Sequence, residues 1–335
     1  MRHKFKCHAC GKCCQHFFPN AEGQPPITMR DGAMNIYFTP PGEECVPLLP
    51  WEAGKLKAHA KQLGIPVNIT PNIGFPSRRA KAVYIVEYVL KHSVCPFLDS
   101  NNKCSAYDVR PLVCQSFPIV DTGMVLPPLF FRKGNCPQFV NPFGQDYVYD
   151  DVDMMMTSFS QVYPEAYIAR LQYEILLDYL TQLAAALHEK RFLHFSPCSE
   201  REIRQFKRID LLSHLSRLER HDTPNGTLFL PPRQEGRMRL GVQIDPNPLD
   251  YISYILHLPP KELIQLSMGI YMKRKKEDYM KRAKEAYDAN FRSRITDLTG
   301  SGKQEDIVIH IKSPNVPPHA LVYLAKENRW IEVRE

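Results

Sequence analysis

With 335 residues, 44% of them apolar, 24% charged and a formal net charge of +7, the chain can bury a substantial core in one large domain or two smaller ones, and wholesale disorder is excluded. Its first ten residues are basic and polar with no apolar run behind them, and no later stretch offers eighteen uninterrupted apolar residues. Neither a secretory leader nor a membrane span is expected, and the chain reads as cytoplasmic.

Taken in order, Lys4-Phe5-Lys6 suits a short edge strand leading into a glycine-containing knuckle. From Phe17 to Pro47 the chain is rich in Pro and Gly and reads as loop, with Asn35 to Thr39 as its one strand-like run. Leu49 to Leu63 places Trp51, Ala53, Leu56, Ala60 and Leu63 at helical steps, and Gly64 and Pro66 supply the stop. Ala82 to Leu90, dense in β-branched and aromatic residues, predicts a strand delivering the chain to Cys95.

Tyr163 to Lys190 carries Ile168, Leu171, Ile175, Tyr179, Leu183 and Leu187 on one helical stripe. A shorter helix is expected from Ser199 to Arg220, then a Pro/Gly-punctuated stretch through Pro248. Pro248 to Leu258 and Lys261 to Leu298 read as two helices broken at Pro259-Pro260. Ile307 to Ile311, Ala320 to Ala325 and Trp330 to Val333 alternate like strands. The partition this suggests is a cysteine-rich domain over 1–145, a mainly helical region over 146–300 and a β-rich tail over 301–335, an α+β chain throughout.

Ten cysteines in a reducing compartment point to metal or redox chemistry rather than to a disulfide framework, and their distribution sharpens that reading. Cys7, Cys10, Cys13 and Cys14 fall within eight residues, as two overlapping two-residue spacings with a fourth cysteine adjacent. Such spacing lets a tight turn aim two sulfurs at one ion, and Gly11 permits the positive φ that knuckles require. Adjacent thiolates such as Cys13 and Cys14 point different ways on an extended backbone, so one of them serves a second metal or packs.

Cys95, Cys104, Cys114 and Cys136 form the second group, and together the two groups supply eight thiolates. These suffice for two four-coordinate zinc ions or for one or two clusters held by four cysteines each. Thiolates suit both metals, but the close Cys-x-x-Cys-x-x-Cys run favours an iron–sulfur centre of the 4Fe–4S kind over zinc.

The segments Phe5 to Cys14 and Cys95-Pro96-Phe97-Leu98, with Lys103-Cys104, Tyr107, Arg110-Pro111, Cys114 and Phe117-Pro118, resemble the YkgJ-type cysteine-cluster family, described as zinc- or iron-chelating. The likeness covers roughly residues 5 to 140, including Val46-Pro47-Leu48 leading into the Trp51-Glu52-Ala53 helix. That family is similar to the cysteine-rich part of bacterial flagellin lysine N-methylases, which implies a link to S-adenosylmethionine and to modification of a protein substrate. The chain itself has no Gly-x-Gly-x-x-Gly loop between a strand and a helix, so the methylase reading rests on the resemblance alone.

Other features read more plainly. Arg110, between Cys104 and Cys114, either offsets thiolate charge or joins a surface salt bridge. Tyr107 reads as core packing or as a cover over the site. His3, His8 and His16 flank the first group and read as solvated rather than ligating. Cys45 and Cys198, apart from both groups, read as packing residues. The 261–298 segment carries ten Lys or Arg against six Asp or Glu, and this interleaving fits a salt-bridged solvated face better than a nucleic-acid groove. Tyr271, Tyr279 and Tyr287 recur every eight positions, as core contacts would. Oligomeric state leaves no sequence signal. The alternative to a cluster with an enzymatic or electron-transfer role is a closed zinc module that supports a protein-interaction surface without catalysis.

Overall fold

The computed structural model describes residues 11, 28–29, 35–38, 45–92, 94–117, 119, 163–232, 241–270, 273, 307–313, 316–324 and 329–334. The chain divides into two compact units, Met1–Tyr271 and Met272–Glu335. Antiparallel sheets combined with helices make it an α+β protein.

The first unit is organised on strand β5, Ala82–Lys91, whose apolar run is buried almost end to end. Its neighbour on one side is β4, Ile69–Ser77, which pairs antiparallel with it from Ile69↔Leu90 to Ser77↔Ala82. Beyond β4 lie two-residue strands β2, Ile36–Tyr37, and β1, Thr28–Met29. The other side of β5 is shared lengthwise. β3, Cys45–Leu48, runs antiparallel along its C-terminal half, and β6, Lys207–Asp210, runs parallel along its N-terminal half.

Helix α1, Pro50–Leu63, follows β3 at once, with Pro at its first position and Gly64 closing it in the left-handed region at φ 68°. The expected Leu49 to Leu63 helix is therefore present. Within the stretch read as loop, however, β3 forms, because Cys45 to Leu48 finds a ladder on β5 that short-range composition does not announce. β4 went unseen for a related reason. It contains Pro71, Gly74 and Pro76, residues that weaken a strand, but β2 pairs only with Ile73 and Gly74, so both prolines lie where no β2 partner needs an N–H.

Helix α2 is the four-residue Leu112–Gln115, and α3 is the 26-residue Pro164–Glu189. α3 carries the main core: Tyr163, Tyr167, Leu171, Leu176, Leu180, Ala184 and Leu187 are fully buried against Tyr84, Val86, Phe195 and Leu211. An irregularity in the β4–β5 register at Ile73/Gly74 brings Glu87 to the same side as its neighbour Val86. There Glu87, 2% exposed, accepts hydrogen bonds from the Tyr173 hydroxyl and the Asn72 amide. Burial outweighs both bonds and the nearby Arg170 charge, raising its pKa to about 7. Arg170 itself pairs with Glu174 at 2.6 Å, both largely buried.

The single helix expected over Ser199 to Arg220 is corrected to three elements. α4, Glu200–Gln205, is capped by Ser199; then come β6 and α5, Leu211–Ser216, capped by Asp210, whose Oδ1 accepts the Ser213 N–H at 2.7 Å. Pairing of Lys207 to Asp210 with β5 overrides their helical tendency. The Pro/Gly-punctuated stretch that follows holds an antiparallel sheet of β7, Glu219–Thr223, β8, Gly226–Leu230, and β9, Val242–Ile244. Helix α6, Pro248–His257, matches expectation, and a further helix begins at 260. Beyond 273 the expected basic helix, with Tyr279 and Tyr287, lies outside the described residues, as does Tyr271.

In the second unit, β10, Ile307–Ser313, β11, Val316–Leu324, and β12, Arg329–Arg334, form an antiparallel meander with Ile309↔Leu321 and Val322↔Ile331 in register. The three tail strands expected from alternation are all present.

Candidate metal centre

The described cysteines of the second group sit on a short, heavily hydrogen-bonded stretch leaving β5. Leu98 N–H donates to the Cys95 carbonyl at 3.1 Å, closing the turn that begins at Cys95. Leu98 and Cys104 then form an antiparallel bridge, and the Ser105 N–H and hydroxyl both donate to the Phe97 carbonyl, at 2.7 and 2.9 Å. At the hairpin tip, Asp99 Oδ1 accepts the Asn101 and Lys103 N–H groups, each at 2.8 Å, and Asn102 takes φ 57°. A short aspartate side chain folding back on its own backbone is the usual way to hold so tight a turn.

Cys95, Cys104 and Cys114 are half-buried against a small apolar cluster of Val46, Leu48, Ala53, Leu56, Ala60, Leu90, Phe97 and Ala106. Cys114 rides on α2, whose first residue, Leu112, is buried in the α3 core and bonded through its N–H to Glu52. One oxygen of that buried carboxyl accepts the Leu49 N–H at 2.9 Å, and the other accepts the Leu112 N–H at 2.7 Å. Burial raises the Glu52 pKa to about 7, against the pull of those two bonds. Cys45, also half-buried, opens β3 opposite Lys91, the last residue of β5, so the sheet brings a fourth cysteine to the same end. None of these four cysteines is without an interaction partner.

Among the described residues no three His, Cys, Asp or Glu side chains lie close enough to hold a metal ion, so Cys95, Cys104 and Cys114 do not by themselves form a three-thiolate site. Cys7, Cys10, Cys13, Cys14 and Cys136, with His3, His8 and His16 and the expected Lys4-Phe5-Lys6 strand, lie outside the described residues. Gly11, between Cys10 and Cys13, is described. It is buried with φ 68°, and a Cβ on it would stand 2.2 Å from the Asn102 carbonyl oxygen and 2.8 Å from Leu98 Cδ2. The glycine of the first cysteine group is thus seated on the hairpin tip of the second, and only a hydrogen fits there.

Residues 6–136 match the model of the CxxCxxCC family, described as a "putative zinc- or iron-chelating domain". Over that span the chain is similar to the CxxCxxCC domain. The matched span takes in all eight cysteines of the two groups, from Cys7 to Cys136. Metal binding, with zinc or iron as the metal, is the chemistry this CxxCxxCC assignment supports. No curated protein and no solved structure matches the chain. No helix among the described residues is long and apolar enough to cross a membrane.

Tyr107 departs from expectation and Cys198, beyond the matched span, meets it. Tyr107 is not a core residue but 39% exposed, with the Arg110 guanidinium 3.6 Å above its ring and Arg110 Nε donating to the Tyr107 carbonyl at 3.1 Å. Cys198, by contrast, packs as expected, buried beside Val83, Ile85, Ile203 and Phe206 with its thiol 3.2 Å from the Ser196 carbonyl. Sequence reasoning passed over Glu52 and His92. The pKa of His92, three residues before Cys95, is pushed down to about 4 by burial, which keeps its imidazole neutral at neutral pH. A signal for Glu52 was present: it is the acid three residues into a helix, where a carboxylate caps the N-terminus. Its second partner, sixty residues away, has no local signature.

Proposed function

We propose that the chain holds a thiolate-bound metal centre at the Cys95–Cys104 hairpin, with Cys7, Cys10, Cys13 and Cys14 meeting Cys95, Cys104, Cys114 and Cys136, and that its metal is iron in a sulfide cluster serving electron transfer. The seat of Gly11 on the Asn102 carbonyl carries this reading. Peptide geometry alone keeps the Cα of Cys10 within about 4 Å, and that of Cys13 within about 7 Å, of the Gly11 Cα. That short tether supports a meeting of the first cysteine group with the hairpin that bears Cys95 and Cys104.

The donor set is soft and rich in sulfur, which suits zinc and iron alike, while the close spacing of the first group suits a cluster. An iron–sulfur cluster supplies one-electron transfer. The half-burial of Cys95, Cys104 and Cys114 supports that use, because a redox partner can approach a centre close to the surface. A second reading, modification of a protein substrate with S-adenosylmethionine, rests on the cysteine resemblance to flagellin lysine N-methylases. It requires measurable binding of that cofactor to the purified chain.

Anaerobic purification followed by iron, zinc and acid-labile sulfide analysis tests the proposal. The expected preparation is brown, with iron and sulfide in fixed ratio to protein, and Cys10→Ser or Cys104→Ser each bleaches it. Stoichiometric zinc in a colourless preparation replaces the cluster by closed structural zinc. A folded protein with neither metal sinks the proposal.

A further inference from the structure

We infer that Glu52 is the positioning residue of the metal centre: its single buried carboxylate ties the β3–α1 junction to the first residue of the Cys114 helix and so fixes that sulfur relative to the hairpin. The inference rests on the proposed metal centre and adds to it a residue that touches no metal. α2 is too short to hold itself in place, since four residues close hardly more than one helical turn and nucleating that turn is unfavourable. Pro111 stands at its start and contributes no N–H. The Leu112 N–H is the group that must be satisfied if α2 is to sit against β3, and Glu52 Oε1 accepts it at 2.7 Å.

The other oxygen, Oε2, accepts the Leu49 N–H at 2.9 Å, one residue after β3 ends. β3 is laddered to the end of β5 from which Cys95 departs, so one carboxylate joins the backbone carrying Cys114 to the backbone leading to Cys95. Gln115 Nε2 donates to the Arg110 carbonyl at 2.6 Å, but this bond lies within the same turn and does not tie it to the sheet. A neutral amide cannot replace the carboxylate: the glutamine oxygen accepts one of the two N–H groups, and its NH2 then faces the other donor. The carboxyl is also buried, so water does not make up the loss.

Glu52→Gln is compared with Leu56→Ala, which opens a cavity in the same apolar cluster, one helical turn away, and leaves both carboxylate bonds in place. Co²⁺ is the spectroscopic probe of the full-length chain. The expected Glu52→Gln protein has a weakened or shifted thiolate-to-cobalt absorption and releases Co²⁺ to a chelator at least tenfold faster. Leu56→Ala lowers the thermal midpoint but keeps the wild-type spectrum. In the metal-free chain, Glu52→Gln also raises the alkylation rate of Cys114, read by mass spectrometry, several-fold. An unchanged spectrum and an unchanged Cys114 rate in Glu52→Gln overturn the inference, as does an equal spectral change in Leu56→Ala. Failure of the wild-type chain to bind Co²⁺ overturns the metal centre instead, and the alkylation rates still decide the role of Glu52.

Discussion

The α3 side of the β5 sheet and the cysteine hairpin at its end are held by different means. On the α3 side, 32 buried apolar residues form one cluster among the described residues, whereas eight form the cluster under the cysteine hairpin. Burying a leucine-sized side chain contributes about 1.5–3 kcal/mol, so apolar burial is the main support of the α3 side, with the Glu87–Tyr173 bond set within it. The hairpin relies on polar ties: the Asp99 turn, the Glu52 carboxylate and the close fit of Gly11. A region of that kind is the one in which bound metal adds to stability and in which its loss is felt.

The largest expected effect tests the independence of the α3 side. Leu180→Ala, at a fully buried position, is expected to cost about 2–5 kcal/mol in urea unfolding, with metal or without it. A cost that appears only in the metal-loaded protein breaks the contrast between the two regions.

A smaller effect comes from the two buried glutamates. In the unfolded chain both release their protons near 4.5, but in the folded chain they hold them to about 7. The folded state therefore binds more protons through that window, and stability falls as pH rises from about 4.5 to about 7, then levels off. Each tenfold difference in proton affinity between the folded and unfolded chain is worth about 1.4 kcal/mol, so one glutamate accounts for no more than about 3.5 kcal/mol. Thermal midpoints across the window check the sign, and Glu87→Gln is expected to flatten the slope. A midpoint that rises with pH in both proteins contradicts the assignment.

Gly11→Ala sharpens the comparison from the other side. Forcing alanine into the left-handed region costs about 1–2 kcal/mol, and its Cβ collides with the Asn102 carbonyl. Metal content is expected to drop, with faster amide exchange confined to 95–105 and α3 unaffected. Faster exchange in α3 shows instead that the two regions respond as one. The smallest effect belongs to Tyr107→Ala, where an exposed ring under Arg110 is worth at most about 1 kcal/mol, read as an unfolding midpoint close to wild type.

Legibility followed periodicity. α1, α3 and α6 repeat apolar residues often enough to be read directly, and β5 and the tail strands carry alternating or β-branched runs. β3, β4 and β6 do not, because each is a strand through its neighbour: Cys45-Val46-Pro47-Leu48 and Lys207 to Asp210 extend along β5, and β4 includes two prolines. The β7–β8 hairpin had a turn signal, Pro224-Asn225-Gly226, with Gly226 at φ 112°, but β7 is too polar and both strands are too short to be read beside it. The cysteine groups were legible because sulfur spacing is itself chemistry. Of Glu52 only its place at the start of a helix was legible, since its second donor, Leu112, lies sixty residues away.

By itself the sequence determined which atoms are available to a metal and which segments repeat strongly enough to fold as helices, since ligand type and periodicity are properties of neighbouring residues. Only the tertiary structure decided that Gly11 lies on the Leu98–Asn102 turn, that Cys45 stands opposite the end of β5 and that one carboxylate joins α1 to α2. Those relations depend on which surfaces pack and which backbone donors are left without a partner once they have packed, and neither is a property of any single segment.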